Sequence, residues 1–531
     1  MAALRPKLLP LAAAIATAVI FFWPFFASSG DTLSGDLGDN RLHLAILEHW
    51  RAVGAGQAPA LSPNFFAPVP GVLAYSDALF LYVPPYLLLR ALALEPHLAY
   101  QLTLVALKIL AFLALFALLR RAAGLSPALA AWAAALFALS NVYSVSLGHG
   151  QLASHALLPL ILWLACHAWD LGPTRPLAAH ACSAAAAALF GLLFFTAYYI
   201  AFFFGLTLGL CLAIFFLLDL RQPAGRFPWR RALPLAASSA AVFALSLAPF
   251  LITYLPLFHA TGGRSFGDAQ GQTLGLAQLI SPGPTNFLWG AAIQENAAFF
   301  DLSVQREAGR GWPPITACLF LLATLVICRR PKPTPAHRLA AAACLTVILL
   351  AAAATTCAGL HPWRIVYYLV PGASGIRVPQ RINLVLNLAV VIVLALSFRA
   401  AFQKARYRPA LAVLLLLVLV EQLNWNAHPG YSRQADRAFL DRIPPPPPSC
   451  RSFYSIHSPR LHRTWIQVDA MLLARRFNLP TLHGYSGITP PGWRCDTNQE
   501  SCALSLQSWA RQHNLSAGLC TLDMTAATWT Q

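Results

Sequence analysis

The chain has 531 residues, of which 58% are hydrophobic and only 11% are charged, and its formal net charge is +18. Soluble domains carry about 25% charged residues, so this composition excludes an ordinary soluble protein and indicates an integral membrane protein. The basic excess lies mostly in short loops between apolar runs, which indicates membrane topology rather than a nucleic-acid-binding surface.

Eleven apolar runs, most of them about 20 residues long, predict membrane-spanning helices. The first run follows Arg5 and Lys7, and because it lacks a cleavage site of small residues we interpret it as a retained span. A cytoplasmic N-terminus puts most basic residues in cytoplasmic loops, so we expect an N-in, C-out orientation. The predicted spans are 8–29, 98–119, 126–146, 151–169, 177–196, 198–218, 232–254, 312–328, 337–358, 380–398 and 409–425.

Two segments leave the number of spans open. Residues 177–218 are long enough for two spans with a tight turn near Tyr198, or for one long bent helix. The run 78–94 contains two prolines and Arg90, and a full span there would place later basic loops outside, so we interpret it as a re-entrant or interfacial element. We therefore expect an all-α polytopic membrane bundle of about 11 spans.

The chain divides into three predicted parts, the last of them outside the cytoplasm. The transmembrane domain carries two large outer loops, and a run of prolines forms a stiff linker behind it. A small α+β domain completes the chain. The boundaries are 1–425 for the transmembrane domain, 30–97 and 255–311 for its outer loops, 426–449 for the linker and 450–531 for the extracytoplasmic domain.

The C-terminal domain is polar and mixed in composition, and it favours a short helix over 468–477 and a strand over 481–485. Its four cysteines predict disulfides in an oxidising compartment, with three connectivities open. Zinc is the alternative, but no Cys-x-x-Cys spacing supports it. The four cysteines are Cys450, Cys495, Cys502 and Cys520.

Acidic residues first occur directly after the first span, and two of them are Asp36 and Asp39. Carboxylates are costly near a bilayer, and the intervening glycines let the backbone hold them close together, so both are candidate catalytic residues. The residues that follow place Leu42, Ile46 and Trp50 on one face and predict an amphipathic helix on the outer membrane surface. The alternative is that one acid only caps this helix.

Further polar residues are expected to face the same outer cavity. His149 and Gln151 lie beside glycines in a turn between two spans, which indicates the close approach of another group. His43 lies one helical turn after Asp39, but these two residues alone supply too few ligands for a metal site.

Arg377 and Arg381 are four residues apart where a span begins at its outer end. Guanidinium groups bind phosphate through paired hydrogen bonds, so both are candidate ligands of a donor phosphate, with snorkelling to the interface as the alternative. Carboxylates, a histidine and paired arginines in one cavity favour transfer from a lipid-linked phosphate to a hydroxyl, with an aspartate as general base.

Four motifs resemble the GT-C superfamily of polytopic glycosyltransferases, most closely uncharacterised bacterial membrane proteins of that type. The resemblance implies a GT-C-like fold, a polyprenyl-phosphate sugar donor and a catalytic acid after the first span, at Asp36 or Asp39. A second acid is typical of the next outer turn, where this chain has His149 and Gln151 instead. Only some members use a divalent metal, so a metal cofactor stays open. The motifs are Gly-Asp-Leu-Gly-Asp at 35–39, Tyr-Val-Pro-Pro-Tyr at 82–86, Gly-Ile-Arg-Val-Pro-Gln-Arg at 375–381 and Leu-His-Gly-Tyr-Ser-Gly-Ile-Thr-Pro-Pro-Gly-Trp at 482–493.

The sequence therefore predicts an inverting glycosyltransferase of a bacterial inner membrane, with its C-terminal domain in the periplasm. Its partners would be a polyprenyl-phosphate sugar donor, a glycan, lipid or protein acceptor of the cell envelope, and membrane lipid, with no nucleic acid. A flippase or exporter of lipid-linked saccharide and a non-catalytic assembly factor are the alternatives. A transporter is disfavoured because only Lys108 lies well inside a span and no two-fold repeat is visible.

Overall fold

The computed structural model describes residues 5–221, 227–300, 309–330, 333–424, 430–460, 462–495 and 499–531. Within those ranges, eight helices are long and apolar enough to cross a membrane. Shorter helices cover three further predicted spans, at Leu8–Phe21, Pro314–Cys328 and Arg408–Val420. The eight long helices are Pro96–Ala122, Pro127–Ser144, Gly150–Leu171, Pro176–Phe194, Tyr198–Leu220, Trp229–Thr261, Pro335–Ala353 and Pro379–Gln403.

Local sequence signals explain where several long helices begin. Proline occupies the first turn of many of them, where its missing N–H would have no partner within the helix. Side chains also cap them: the Glu95 carboxylate accepts a hydrogen bond of 2.9 Å from the Leu98 amide, and the Ser126 hydroxyl accepts one of 3.3 Å from the Leu129 amide. These caps satisfy amide donors that would otherwise lack partners.

Shorter elements fill the loops and the C-terminal region. One antiparallel pair, Thr32–Leu33 with Tyr431–Ser432, joins the start of the first outer loop to the segment that follows the helix Arg408–Val420. A parallel pair joins Leu274–Gly275 to Thr355–Thr356. The remaining α-helices are Trp23–Ala27, Asp39–Gly54, Val83–Ala91, Phe266–Gln270, Gly290–Glu295, Trp363–Leu369, Arg433–Asp441, Arg463–Phe477 and Gln499–Gln512.

The two ambiguous segments of the sequence have distinct structures. Residues 177–218 form two helices, because the chain breaks between Phe194 and Tyr198. The Thr196 carbonyl in that break accepts a hydrogen bond of 3.1 Å from the Leu79 amide. In 78–94 the helix Val83–Ala91 has only 9 residues, so at about 1.5 Å per residue it is too short to cross a bilayer.

The helix Asp39–Gly54, which we call the loop helix, contradicts the prediction of an amphipathic helix on the membrane surface. Arg41, His43 and His49 are buried together with its apolar residues. It packs against Pro96–Ala122 on one side and against Arg463–Phe477 of the C-terminal domain on another. The periodicity of apolar residues was real, but the C-terminal domain covers the polar face that was expected to meet water.

The C-terminal domain contains a three-stranded sheet with Leu519–Asp523 in the centre. Ser452–Ile456 pairs parallel with it and Thr528–Thr530 pairs antiparallel. The predicted helix is present as the longer Arg463–Phe477. The predicted strand over 481–485 is wrong, since only Thr481 pairs there, in an isolated bridge to Phe453.

The four cysteines of the C-terminal domain form two disulfides, as expected. Cys450 is joined to Cys520 and Cys495 to Cys502. The first bridge fixes Leu519–Asp523 to the segment that precedes Ser452–Ile456, and so supports the centre of the sheet.

A buried network of charged groups joins the loop helix to the C-terminal domain. Arg41 is fully buried and contacts both Asp436, at 2.9 Å, and Asp469. Arg460 bonds the same two carboxylates at 2.7 and 2.8 Å. His97 of the long helix Pro96–Ala122 adds a contact of 2.8 Å to Asp436. Because paired charges satisfy one another's buried hydrogen-bonding groups, this network fixes the C-terminal domain against the helical bundle.

Candidate functional site

Asp39, His149 and Arg381 converge from three separate segments of the chain. His149 Nδ1 lies 2.5 Å from Asp39 Oδ2, and Arg381 Nη2 lies 2.9 Å from His149 Nε2. Asp39 is the first residue of the loop helix, His149 precedes the helix Gly150–Leu171, and Arg381 lies in the first turn of Pro379–Gln403. Three of the predicted site residues thus form one continuous hydrogen-bonded chain.

The partners of His149 define its tautomer. Arg381 can only donate, because a guanidinium has no acceptor, so His149 Nε2 must be the acceptor. The proton of the neutral ring is therefore on Nδ1 and is donated to the Asp39 carboxylate. His149 separates a positive from a negative side chain while bonding both.

Tyr485 of the C-terminal domain supplies the fourth member of the site. Its hydroxyl donates a hydrogen bond of 2.7 Å to Asp39 Oδ1. The neighbouring Gly487 carbonyl accepts one of 2.9 Å from Arg264, so the segment is held in place from a second side. Both oxygens of the Asp39 carboxylate are consequently engaged by protein donors.

Asn40 fixes the backbone around this site. Its Oδ1 accepts hydrogen bonds of 3.1 Å from the Gly150 amide and from the Tyr100 hydroxyl. Its Nδ2 donates one of 2.8 Å to the Ser34 carbonyl. A Cβ on Gly150 would lie 1.9 Å from the Tyr100 hydroxyl, and one on Gly35 would lie 1.3 Å from Asn40 Nδ2. Glycine is therefore required at positions 35 and 150, because any side chain there would clash with a neighbouring side chain.

The electrostatics of the site favour an ionised carboxylate beside neutral histidines. Burial raises the pKa of Asp39, but the hydrogen bonds from His149 and Tyr485 outweigh it and hold that pKa well below the usual range. Burial and the Arg381 guanidinium lower the pKa of His149. Burial lowers the pKa of His43 to about 4, and His43 contacts the site through the Tyr100 hydroxyl, 3.2 Å from its Nδ1.

The other predicted residues lie at the edge of the site. Asp36 is exposed, and its Oδ1 accepts a hydrogen bond of 2.9 Å from the Gly38 amide. The N-cap of the loop helix is Gly38, with no side-chain cap bond, so neither predicted acid serves as its cap. Gln151 is half-buried, and its carbonyl accepts a bond of 3.2 Å from the Tyr82 hydroxyl.

Arg377 and Arg381 do not share a helical face, contrary to the sequence-based expectation. The backbone at Val378, with ψ of 86°, separates them, and the helical turn begins only at Pro379. Arg377 is exposed while Arg381 is buried. Tyr199 connects the two, because its hydroxyl accepts a bond of 2.7 Å from the Arg377 amide and its ring lies 5.4 Å from the Arg381 guanidinium carbon.

Asp77 is an acidic group near this site that the sequence analysis did not single out. It is half-buried, and its Oδ1 accepts a hydrogen bond of 3.0 Å from the Tyr198 amide. Burial raises the pKa of Asp77 to about 6, and the nearby Asp39 charge acts in the same direction. Asp77 lies in the first outer loop, as Asp36 and Asp39 do, and that shared location could have indicated it as a further candidate.

Among the described residues, the donor atoms at this position do not assemble a three-ligand zinc site. Asp39 and His149 supply two donors that already bond each other, whereas catalytic zinc usually takes three protein ligands. Within the described ranges, one group of three side chains has its possible metal-ligand atoms close together. It consists of His483, Cys495 and Cys502. The two cysteines of that group are joined in a disulfide.

Solved structures share this fold, although no protein-family profile and no curated protein sequence matches the chain. The Archaeoglobus fulgidus oligosaccharyltransferase in its apo form is 13% identical, with a TM-score of 0.54 over 97% of this chain and 69% of that one. The same organism's AglB, in complex with an inhibitory peptide and a dolichol-phosphate, is also 13% identical, with a TM-score of 0.51 over 97% and 69%. ArnT from Cupriavidus metallidurans is 14% identical, with a TM-score of 0.39 over 91% and 86%.

The chain therefore shares the fold of the Archaeoglobus fulgidus oligosaccharyltransferase, and the fold that the four sequence motifs imply is confirmed. The similarity to that oligosaccharyltransferase extends over 97% of this chain.

Proposed function

We propose that this protein is an inverting glycosyltransferase that moves a sugar from a polyprenyl-phosphate donor to a cell-envelope acceptor. The single observation that carries the proposal is the chain Arg381–His149–Asp39, which places a cation and a carboxylate in one site of a GT-C fold. The site would face the non-cytoplasmic side of a bacterial inner membrane, since the predicted topology puts all three segments there.

The proposed step exchanges one bond at the anomeric carbon of the sugar. The acceptor hydroxyl oxygen attacks that carbon from the face opposite the phosphate, and the bond between carbon and phosphate oxygen breaks. The phosphate leaves with the electron pair of that bond, and the hydroxyl proton passes to a carboxylate. Attack from the opposite face inverts the configuration.

Asp39 is the proposed carboxylate of this step, and Asp36, exposed at the rim, is the second candidate. The pKa of Asp39 lies below its usual range, so it is a weak base. We therefore expect the acceptor oxygen to bond to carbon first. The bonded oxygen is more acidic than a free hydroxyl, so its proton can then pass to Asp39. Before that point, Asp39 orients the hydroxyl by accepting its hydrogen bond.

Arg377 and Arg381 are the proposed ligands of the departing phosphate. Arg381 is oriented by His149 and by the Tyr199 ring, and Arg377 is exposed at the same edge. Fixed positive charge beside a leaving group lowers the barrier because it stabilises charge that develops in the transition state. The described donors do not supply a three-ligand zinc site, and no step is assigned to a metal.

The test uses purified full-length protein, a panel of polyprenyl-phosphate sugars and envelope extract as acceptor, with mass spectrometry of released polyprenyl phosphate. Wild-type protein is expected to release lipid phosphate, and Asp39→Asn to lower the rate at least about a hundredfold. Asp441→Asn, at an exposed ion pair with Arg476, is the matched control and should keep the wild-type rate. Equal rates for Asp39→Asn and wild type, or no release from any donor, would contradict the proposal.

A further inference from the structure

A cavity of about 740 Å³ lies between the loop helix and the C-terminal domain. We call it the arginine cavity, because Arg51, Arg437, Arg475 and Arg476 line it. Its volume is sufficient for a ligand the size of a lipid headgroup, since small-molecule pockets measure about 300–1,000 Å³. The candidate glycosyl-transfer site does not include any of these arginines.

The arginine cavity and the candidate site lie on opposite sides of the loop helix. Leu44, Glu48 and Arg51 line the cavity, and their spacing of four and three residues places them on one helical face. Asp39 precedes Glu48 by about two and a half helical turns, so it projects from the other face. A ligand in this cavity would therefore not compete directly with a donor sugar at Asp39.

The acidic side chains of the cavity are already paired. Glu48 accepts bonds of 2.8 Å from Arg90 and 2.5 Å from the Tyr86 hydroxyl. Glu95 accepts a bond of 3.2 Å from Arg433, and Asp441 pairs with Arg476 at 2.8 Å. Each of these acids is therefore hydrogen-bonded to a cation other than Arg475.

Arg475 is left with unused hydrogen-bonding capacity. Its Nη2 donates only a long bond of 3.3 Å, to Asn478 Oδ1. Its Nη1 is buried and has no hydrogen-bond partner in the part of the chain that the structure describes. A buried donor without a partner costs free energy, which an anionic ligand in the cavity would recover. Arg437, which is 48% exposed and 4.0 Å from Glu95, is the second available cation.

The surroundings of the cavity favour a ligand that comes from lipid. Leu44, Leu440 and Leu472 supply an apolar part of its wall. Glu48 also bonds Arg90 of the interfacial helix Val83–Ala91. That helix exposes Leu88 by 63%, and Leu92 just beyond it is exposed by 65%, as expected of a segment in contact with acyl chains.

We propose that the arginine cavity is a binding site for a phosphate group, with an anionic lipid headgroup as its favoured source. Arg475 and Arg437 hold the phosphate oxygens by charge-assisted hydrogen bonds, and the leucines contact the apolar part of the lipid. The site is independent of sugar transfer and would anchor the interface between the bundle and the C-terminal domain to the membrane.

The test compares wild type, Arg475→Gln and the control Arg511→Gln in nanodiscs that contain phosphatidylglycerol. Native mass spectrometry then counts the phosphatidylglycerol molecules that remain bound after transfer to detergent. We expect Arg475→Gln to weaken retention about tenfold, the loss for one charge-assisted contact. Arg511→Gln should retain lipid as wild type does, since Arg511 is exposed and does not line the cavity.

Inorganic phosphate in detergent, measured by thermal stabilisation, distinguishes the source of the ligand. Stabilisation that depends on Arg475 without retention of phosphatidylglycerol would support the phosphate site and assign it a soluble ligand. If Arg475→Gln fails to fold by gel filtration, Arg437→Gln carries the same comparison. Retention and stabilisation that are unchanged in the folded variant, or lowered equally by Arg511→Gln, would overturn the proposal.

Discussion

The Tyr485 hydroxyl donates a 2.7 Å hydrogen bond to Asp39 Oδ1 across a sequence separation of 446 residues. The C-terminal domain thus contributes directly to the environment of the candidate catalytic carboxylate. Tyr485 occupies the position at which the hydroxyl of an acceptor would bond to Asp39. In the proposed reaction, an acceptor would have to displace Tyr485 or bond beside it, and the position of the C-terminal domain would then control access to Asp39.

Tyr485→Phe tests the strength of this bond. Loss of a hydrogen bond to a charged group is expected to destabilise the protein by about 1.5–3 kcal/mol. In an Asp39→Asn background the same substitution should cost less, because the charge is absent, so a double-mutant cycle followed by thermal unfolding should give a clear coupling energy. Tyr485→Phe combined with Asp441→Asn is the control, and these effects should add. Additive effects for Tyr485 and Asp39 would contradict the direct interaction.

His149 is expected to act through both ring nitrogens. His149→Gln keeps one donor and one acceptor and should retain much of the activity, whereas His149→Leu removes both and should lose about as much as Asp39→Asn. The assay is release of polyprenyl phosphate. Equal activities for the Gln and Leu variants would argue against the relay between Arg381 and Asp39.

The pH dependence of stability follows from the lowered pKa of His149. The folded state binds a proton less readily than the unfolded state, in which the histidine titrates near 6.5. Stability is therefore present above that pH and falls as the pH drops below it. His149→Gln should flatten the decrease in melting temperature between pH 7 and pH 5 (about one unit either side of the unperturbed value). An unchanged slope would mean that other groups cause the decrease.

Asp77→Asn should show the opposite dependence, because the pKa of Asp77 is raised to about 6 in the fold. A raised carboxyl pKa stabilises the fold below the unfolded value of about 3.9, and this contribution is lost as the pH rises through the folded value. At neutral pH the wild-type carboxylate is ionised and partly desolvated, so the amide should raise stability by about 1–2 kcal/mol. At pH 5, about midway between the unfolded and folded values, the gain should fall to roughly half, and it should vanish only below about pH 3.9. A gain that is equal at both values would contradict the raised pKa.

The sequence predicted the members of the site better than their arrangement. Asp39 stood out because carboxylates are costly near a bilayer, His149 because glycines flank it, and Arg381 because paired arginines suit a phosphate. No local pattern shows that His149 lies between the other two. The pairing of Arg377 with Arg381 was inferred from helical spacing, which fails because the backbone turns at Val378.

Burial of the loop helix could not be predicted for a related reason. Its apolar stripe was visible in the sequence, but nothing near Arg41 shows that the C-terminal domain covers the polar face of the helix. The charge of Arg41 is paired with Asp436 and Asp469. These partners are about 400 residues away in the chain, so the sequence around residue 41 does not predict them. Contacts between residues that are hundreds of positions apart therefore determine both the geometry of the candidate site and the packing of the loop helix.

The buried network should be far more sensitive to substitution than surface ion pairs are. Asp436→Asn leaves Arg41 and Arg460 with a single full carboxylate partner, Asp469, in a buried environment. Removing one partner of a buried ion pair costs about 3–5 kcal/mol, and the C-terminal domain should then separate more readily from the bundle. We expect a lower melting temperature and faster limited proteolysis near the proline-rich segment 444–448. Asp441→Asn removes an exposed ion pair with Arg476, which is worth about 1 kcal/mol or less, and it serves as the control. Equal stabilities for the two variants would show that the network does not hold the C-terminal domain in place.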